Sequence, residues 1–255
     1  MLTKCGLAII LFFFCSCNEK LSIQDSQNAS QESPKGPLKK NIHSDSKTIG
    51  LDETKIEYSD LVDVQEINPD IKIELKYSTF DNFMKMRLYE KISKAYLQKD
   101  VAERLSKVQS LLSKKKSGYH LLIYDAFRPV SVQRKMWEAL DSIPTIRRGK
   151  FVSNPDKRSL HNMGAAVDIT IIDDRGIPLD MGAGFDDIRE IAYPIHEARY
   201  LKSGELSSLH LENRMLLRRL MQSQGFRQLE TEWWHYNACS RNEALSKYKV
   251  YLEEF

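Results

Sequence analysis

Hydrophobic and polar residues alternate in three short stretches of the chain, at residues 61–67, 71–75 and 165–172. Side chains of a β-strand point alternately to opposite faces, so each stretch predicts a half-buried strand. Residues 119–124 are apolar and aromatic, which predicts a strand inside the core. Residues 68–70, Asn-Pro-Asp, predict a turn between the first two strands.

Three longer segments carry apolar residues at helical spacing and predict amphipathic helices over residues 99–116, 131–141 and 209–224. Pro129 stands just before the second of these, where its fixed φ angle suits the start of a helix. The helices and short strands are mixed without strict β-α-β alternation. We therefore expect an α+β fold, with helices packed against a central antiparallel or mixed sheet.

The amino-terminal 17 residues predict an export signal. Lys4 precedes the apolar run 6–14, which is shorter than the roughly 20 residues that span a bilayer. The run ends in Ser16-Cys17, which resembles a bacterial lipoprotein signal with Cys17 as the acylated residue. An ordinary cleaved signal or a retained anchor is the alternative.

Residues 18–55 are rich in Ser, Gln, Asn and Lys and hold little apolar surface, so we expect a disordered tether. A single folded domain is then expected from residue 56 to residue 255. Three of the four cysteines lie in the first 17 residues. Only Cys239 remains in the expected domain, which excludes an internal disulfide and a cysteine-ligated metal there.

Charge gives no indication of a nucleic-acid partner. The chain has 38 Lys and Arg against 35 Asp and Glu, a net charge of +3, and no long basic run interleaved with aromatic residues. A nucleic-acid-binding surface usually shows such a run or a strongly basic balance. The sequence also predicts no protein partner.

The first candidate for chemistry is the segment that contains His161 and Asp168. If residues 165–172 form a strand, Val167, Ile169 and Ile171 share one face and Asp168 lies on the other. A buried carboxylate is costly unless it is paired, hydrogen-bonded or bound to a metal. From these residues alone, metal binding and an ordinary hydrogen-bonded role are equally open.

A second candidate segment, residues 232–235, adds Glu232 and His235. A regular strand would send these two side chains to opposite faces, so we predict a bend or bulge, with His235 on a strand and Glu232 before it. A catalytic zinc site needs three nitrogen or oxygen ligands, an open position and a base. His161, Asp168 and His235 can be the ligands, and Glu232 the base.

Arg128 is expected at the end of the strand 119–124, just before the helix that follows Pro129. Strand ends often present functional side chains on a rigid support. The alternative is a structural salt bridge with Asp125 or another carboxylate. Taken from the local sequence alone, the salt bridge is favoured.

Several motifs in a fixed order give the chain a recognisable resemblance. It resembles the VanX-type D-alanyl-D-alanine dipeptidases, which are zinc enzymes related to D,D-carboxypeptidases and to the hedgehog signalling domain. The resemblance covers residues 61–236, and the tail beyond Tyr236 matches poorly. It rests on residues 76–83 and 124–129, on Ser159-x-His161-x-x-Gly164-x-Ala166-x-Asp168, on Asp180-Met181-Gly182 with Phe185-Asp186, and on Glu232-Trp233-Trp234-His235-Tyr236.

The resemblance implies one zinc ion per chain, bound by His161, Asp168 and His235 on the sheet. It also implies that Glu232 activates a water molecule that attacks the peptide bond. A cation beside the scissile carbonyl acts where negative charge develops, and the resemblance gives this role to Arg128.

The ammonium group of a dipeptide would be held by Ser159 and Asp186. The implied activity is hydrolysis of D-Ala-D-Ala, or of related D,D-dipeptides, to free amino acids. An export signal would place this enzyme outside the cytoplasmic membrane, as a lipid-anchored protein of the periplasm or cell surface. Such a location favours nutrient scavenging or wall turnover over interference with precursor synthesis.

Two other functions stay open at this point. One is a D,D-carboxypeptidase or endopeptidase that acts on peptidoglycan peptides. Asp186 argues for the dipeptide, because an anion at the amino-terminal subsite favours a free ammonium over a long acylated chain. The other is a zinc-containing surface module without catalysis, and the presence of Glu232 and Arg128 argues against it.

Overall fold

The structure is a computed structural model, and it describes residues 60–254. The predicted signal peptide with Cys17 and the predicted tether of residues 18–55 lie outside the described residues. Within residues 60–254, the helices are all too short or too polar to cross a membrane.

A mixed five-stranded sheet forms the centre of the described part of the chain. Its strand order is β2-β4-β5-β7-β6, with β2 parallel to β4 and the other neighbours antiparallel. Strands β1 and β3 form a separate antiparallel pair. The strands are β1 (Leu61–Asp63), β2 (Lys72–Ile73), β3 (Tyr96–Gln98), β4 (His120–Asp125), β5 (Ala166–Ile172), β6 (Arg227–Gln228) and β7 (His235–Asn237).

Helices connect and cover these strands, so the predicted α+β fold with a mixed sheet is confirmed. All three predicted helices are present, each within two residues of the expected ends. The α-helices are α1 (Val64–Ile67), α2 (Lys99–Lys115), α3 (Val130–Ala139), α4 (Thr145–Arg148), α5 (Glu197–Ser203), α6 (Ser208–Ser223) and α7 (Arg241–Lys247). Short 3-10 turns include Lys76–Ser78 and Leu160–Met163.

The core lies between α2 and one face of the sheet. The apolar stripe of α2 and the residues Val167, Ile169 and Ile171 of β5 are fully buried in one hydrophobic cluster. Gln109 of α2 links the two layers, since its Oε1 accepts a hydrogen bond from Leu121 N at 2.7 Å. The opposite face of β5, which carries Asp168, is left for the site, as the alternating pattern predicts.

Two of the predicted strands are shorter than expected. The strand predicted over residues 61–67 ends at Asp63, whose side chain accepts a hydrogen bond from Gln65 N at 3.0 Å and caps α1. A short acidic side chain that bonds the following backbone competes with the strand ladder. The strand predicted over residues 71–75 is reduced to Lys72–Ile73, because the chain turns into the Lys76–Ser78 helix.

The carboxyl-terminal tail packs onto the segments that carry the candidate residues. Tyr251 is buried, its N–H donates to Asn162 O and its carbonyl accepts from Val130 N, both at 3.0 Å. The carboxylate of Glu254 accepts from the backbone N–H of Lys91 at 2.7 Å. The tail is therefore part of the fold, although the sequence motifs end at Tyr236.

Gly164 marks the closest approach between the small sheet and the loop before β5. It adopts a left-handed conformation with φ of 63°, and its carbonyl accepts from Gln98 N at 3.0 Å. A Cβ at this position would lie 2.5 Å from Leu61 Cδ2 and 3.1 Å from Gln98 N. Both the conformation and the lack of space require glycine here.

We expect Gly164→Ala to lower the free energy of unfolding by about 2–5 kcal/mol, combining left-handed strain of about 1–2 kcal/mol with overpacking of about 1–3 kcal/mol. The matched control is Gly176→Ala, because Gly176 also has a positive φ but has no atom near its would-be Cβ. That control should lose only about 1–2 kcal/mol. Urea unfolding measures both, and equal losses would mean that the close contact contributes nothing.

Candidate active site

The fold brings His161, Asp168 and His235 together on the open face of the sheet. His161 lies in the turn before β5, Asp168 lies on β5, and His235 is the first residue of β7, directly opposite Asp168 in the antiparallel register. His161 Nε2 is 3.2 Å from His235 Nδ1 and 3.5 Å from Asp168 Oδ1, and His235 Nδ1 is 2.9 Å from Asp168 Oδ1. All three side chains are buried.

The second nitrogen of each imidazole has its own hydrogen-bond acceptor. His161 Nδ1 is 2.5 Å from Ala126 O, and His235 Nε2 is 3.0 Å from Asn237 Oδ1. These acceptors hold an N–H on the far side of each ring, so that the neutral form of each imidazole has its lone pair on His161 Nε2 and on His235 Nδ1. Three inward-facing lone-pair donors are therefore grouped within 3.5 Å.

This donor set fits a divalent metal ion. Tetrahedral ligands at about 2.0–2.1 Å from a metal are separated from each other by about 3.3–3.4 Å. The three measured separations of 2.9, 3.2 and 3.5 Å lie around that value. Two imidazoles and one carboxylate leave a fourth position for water or substrate, as catalytic sites require.

The charges of the three groups are strongly coupled. Burial opposes the ionisation of Asp168, but the two imidazoles hold the pKa of this carboxyl well below its usual range. Burial alone would lower the pKa of His235, whereas its hydrogen bond to Asp168 raises that pKa to about 9. A metal ion held by these three residues would therefore have to displace a proton from His235 at neutral pH.

Glu232 lies beside these groups, outside β7. The chain bends at Trp233 and Trp234 before the strand begins at His235, which is the predicted arrangement. Glu232 Oε2 is 3.9 Å from His235 Nδ1, and 33% of the side chain is exposed to the cavity. Burial raises the pKa of Glu232 while the charge of His235 opposes the shift.

Arg128 combines the two roles that the sequence left open. Its guanidinium forms the salt bridge with Asp125, at 2.7 and 2.8 Å to Oδ2, and also bonds Gln133 Oε1 at 3.0 Å. The same group lines the cavity, with Nη2 3.6 Å from Asp168 Oδ2. Burial would lower the pKa of Arg128, but the carboxylate of Asp125 keeps it raised, so the cation is permanent.

Ser159 and Asp186 line the same cavity of about 450 Å³. The hydroxyl of Ser159 accepts from His161 N at 3.3 Å and caps the turn that carries this histidine. Asp186 Oδ1 accepts from Tyr77 OH at 3.0 Å, and burial raises the pKa of Asp186 well above its usual value. Among residues 60–254, no Lys or Arg side chain forms an ion pair with Asp186.

Two contributors to the site were missed in the sequence. Tyr77, which bonds Asp186, also lies under the guanidinium of Arg128, with its ring centroid 5.1 Å from Cζ. Asn237 holds the far nitrogen of His235. Tyr77 belongs to the motif at residues 76–83, but that motif does not indicate a partner 109 residues away.

A buried arginine on α6 holds the loop that carries Asp186. Arg214 is 1% exposed, donates from Nε to Met181 O at 2.7 Å and from Nη2 to Ile191 O at 3.0 Å. These two carbonyls lie on either side of Asp186 in the sequence. The helical pattern predicted α6 but gave no indication that a charged residue on it would be buried.

A cluster of three metal-donor atoms, an adjacent carboxylate and a buried guanidinium in one cavity has the composition that a metal-dependent hydrolase site requires. The chain matches the model of a peptidase family described as D-Ala-D-Ala dipeptidase over residues 57–251. It belongs to this peptidase family. The match extends past Tyr236 to residue 251, which is further than the resemblance expected over residues 61–236.

Curated relatives agree with the family. The chain is 35% identical to the D-alanyl-D-alanine dipeptidase of Escherichia coli (strain K12), with 70% of this chain and 84% of the relative covered. It is 30% identical to the D-alanyl-D-alanine dipeptidase of Enterococcus faecium, with 68% and 88% covered.

Solved structures show a more distant similarity. The LD-carboxypeptidase LdcB has a TM-score of 0.39 at 19% identity, covering 74% of this chain and 72% of the other. The D,D-pentapeptidase VanY, solved as a mutant in complex with Zn(II), has a TM-score of 0.32 at 13% identity, covering 62% and 81%.

We expect Asn237→Ala to weaken divalent-metal binding about 10–100-fold, because His235 loses the acceptor that fixes its ring and tautomer. Asn237→Asp is the matched control, since it keeps an oxygen at the same position and should retain most of the affinity. Competition with a chromogenic chelator measures both variants. An alanine variant that binds metal as tightly as the parent would contradict the role of this hydrogen bond.

Proposed function

We propose that the protein is a zinc-dependent dipeptidase that hydrolyses D-Ala-D-Ala to two molecules of D-alanine. The observation that carries this proposal is one cavity that contains both the three metal donors and the half-buried carboxylate of Asp186, which has no Lys or Arg ion-pair partner among residues 60–254. Family membership supports the same reaction, since the curated relatives are named D-alanyl-D-alanine dipeptidases.

His161, Asp168 and His235 would hold the zinc ion, because two imidazoles and a carboxylate with an open fourth position are typical of catalytic zinc. When bound, the ion supplies Lewis acidity at the scissile carbonyl and makes a water molecule acidic enough to attack near neutral pH. The hydrogen bonds that the two imidazoles donate to Ala126 O and Asn237 Oδ1 fix the rings in the orientation that this requires.

Glu232 transfers the proton. Its carboxylate accepts a proton from the attacking water and then donates it to the nitrogen of the leaving D-alanine, as the C–N bond breaks. A raised pKa suits both steps, because the group must take up the proton and also release it. Glu232 lies before β7, so it is next to the three metal donors but is not one of them.

Arg128 stabilises the negative charge that develops on the carbonyl oxygen. Five N–H donors exceed what Asp125 and Gln133 accept, so the guanidinium keeps a donor for a substrate oxygen. Those same two residues hold the guanidinium in place before the substrate arrives. A donor fixed in advance, in a site away from bulk water, costs no reorganisation during the reaction.

Asp186 receives the ammonium group of the dipeptide, with Ser159 contributing its hydroxyl oxygen. An ammonium ion beside this half-buried carboxyl favours its ionised form and compensates its charge. An acylated amino terminus brings no charge, so it would leave Asp186 without a partner. The proposed substrate class is therefore the free D,D-dipeptide rather than a longer wall peptide.

We expect Glu232→Gln to reduce D-alanine release from D-Ala-D-Ala by about 10²–10⁴-fold at unchanged zinc content, because the variant cannot accept a proton. The control His235→Ala should lose zinc as well as activity. Zinc analysis and a D-alanine assay on the full chain measure both. A Glu232→Gln variant as active as the parent, or a parent that cleaves only N-acyl-D-Ala-D-Ala, would contradict the proposal.

We further propose that the enzyme is an exported lipoprotein, anchored to a membrane through Cys17 and the tether of residues 18–55. The sequence supports this with Lys4, the apolar run 6–14 and the small residue Ser16 before Cys17. The enzyme would then meet dipeptides outside the cytoplasmic membrane. A role in scavenging or wall turnover fits that location.

Cys17→Ser should abolish lipid labelling and release the protein from the membrane fraction, because the acylated thiol is lost. Cys15→Ser is the matched control and should still be labelled. Metabolic labelling with a fatty acid, followed by membrane fractionation in a bacterial host, measures both variants. Labelling that persists in Cys17→Ser but disappears in Cys15→Ser would move the anchor to Cys15.

A further inference from the structure

A second groove, of about 490 Å³, lies on the same face of the sheet as the metal donors. Thr170 lines it, two residues along β5 from Asp168 and therefore on the same side of the strand. Thr170 Oγ1 is buried and has no hydrogen-bond partner among the described residues. An unpaired buried hydroxyl is uncommon and indicates that something from outside can supply its partner.

Phe185 separates this groove from the catalytic cavity. Its ring centroid is 6.1 Å from that of Tyr77 and 5.5 Å from that of Trp234, and both of these residues line the catalytic cavity. On the other side it is 4.9 Å from the ring of Tyr124, which lines the groove. The two spaces are thus adjacent, with one aromatic side chain between them.

The next residue, Asp186, lines the catalytic cavity, whereas Phe185 lines the groove. The two neighbouring side chains line different spaces, and the backbone turns between them, since Asp186 takes a left-handed φ of 59°. The proposed function places the substrate's amino group at Asp186. A residue added to that amino group and directed toward the groove would have to pass the Phe185 ring.

We propose that Phe185 restricts the enzyme to free dipeptides by closing the catalytic cavity off from the groove. The inference rests on the proposed function and extends it by naming the residue that sets substrate length. Removal of the ring would open a path in which a third residue, on the amino side, lies in the groove. The groove offers that residue the hydroxyl of Thr170 for its backbone and the aromatic side chains of Tyr124 and Trp233 as walls.

The groove also provides a place for the displaced ammonium group. Asp180 lines it, and its carboxylate is hydrogen-bonded by Gly182 N at 2.8 Å and lies 3.1 Å from His210 Nε2. The hydrogen bond from Gly182 N–H is the main cause that lowers the pKa of Asp180, which keeps it ionised. The terminal ammonium group of a bound tripeptide would therefore pair with Asp180, whereas that of a dipeptide pairs with Asp186.

The test compares the full-length parent with Phe185→Ala on D-Ala-D-Ala and on the tripeptide Gly-D-Ala-D-Ala, with D-alanine release as the readout. We expect kcat/KM for the tripeptide to rise about 10–100-fold in the variant, the size of change that opening an apolar pocket produces. Its kcat/KM for D-Ala-D-Ala should fall, because the loop that carries Asp186 loses packing.

Tyr193→Ala is the matched control, since it removes an aromatic ring from the wall of the same cavity but does not line the groove. It should not gain tripeptide activity. Phe185→Leu removes part of the ring with less loss of packing, and it should show a smaller gain if Phe185→Ala does not fold. A gain in Tyr193→Ala equal to that in Phe185→Ala would overturn the inference, because cavity size alone would then explain it.

Thr170→Val tests whether the third residue lies in the groove. Added to Phe185→Ala, it should remove much of the tripeptide gain while leaving the D-Ala-D-Ala rate of that background unchanged. A folded Phe185→Ala that cleaves D-Ala-D-Ala with no tripeptide gain would overturn the inference and leave the proposed function standing. A zinc-containing parent inactive on D-Ala-D-Ala would overturn the proposed function, and the inference with it.

Discussion

The buried carboxylate of Asp168 is the group on which the rest of the site depends. It is 3% exposed and lies within 3.6 Å of His235, His161 and the guanidinium of Arg128. An isolated ionised carboxylate in this position would cost several kcal/mol, so its partners must be in place when the chain folds. Strand register supplies two of its neighbours, since Asp168 is opposite His235 on one side and opposite Asp125 on the other. A slip of one residue would turn Asp168 into the apolar core and destroy the site.

A second set of hydrogen bonds joins the metal donors to the guanidinium. Arg128 N–H donates to His161 O at 3.0 Å, and the Asn162 side chain donates to Arg128 O at 2.7 Å. The tail closes the same unit, because Tyr251 N–H donates to Asn162 O. These bonds fix the backbone of Arg128 beside that of His161, while the side chains of Asp125 and Gln133 hold the guanidinium itself. This explains why the tail belongs to the fold and why the family match extends to residue 251.

The hydrophobic pattern and residue spacing correctly predicted those features that depend on neighbouring residues in the sequence. The alternation along residues 165–172 placed Asp168 on the open face, and the spacing of Glu232 and His235 required the bend at Trp233 and Trp234 that the structure contains. The pattern failed at residues 61–67, where a cap by Asp63 ends the strand early. Contacts that join distant segments, such as Tyr77 with Asp186, have no local signal. For Arg128, the salt bridge and the functional position were treated as alternatives, whereas one buried guanidinium serves both.

The strain and charge at Asp186 indicate what the cavity lacks before substrate binds. The residue holds a left-handed backbone conformation, which costs about 1–3 kcal/mol for a non-glycine residue and usually persists only when surrounding structure enforces it. Arg214 holds the two ends of the loop around it, through hydrogen bonds to Met181 O and Ile191 O. The loop thus holds a half-buried carboxyl in place, and no Lys or Arg among residues 60–254 forms an ion pair with it. A free dipeptide has that cation at its amino end and a carbonyl about one residue away, within reach of Arg128 and the metal donors. Under the proposed function, the substrate would complete the electrostatics of the cavity, so that recognition of its free amino group and alignment of its scissile bond would be one event.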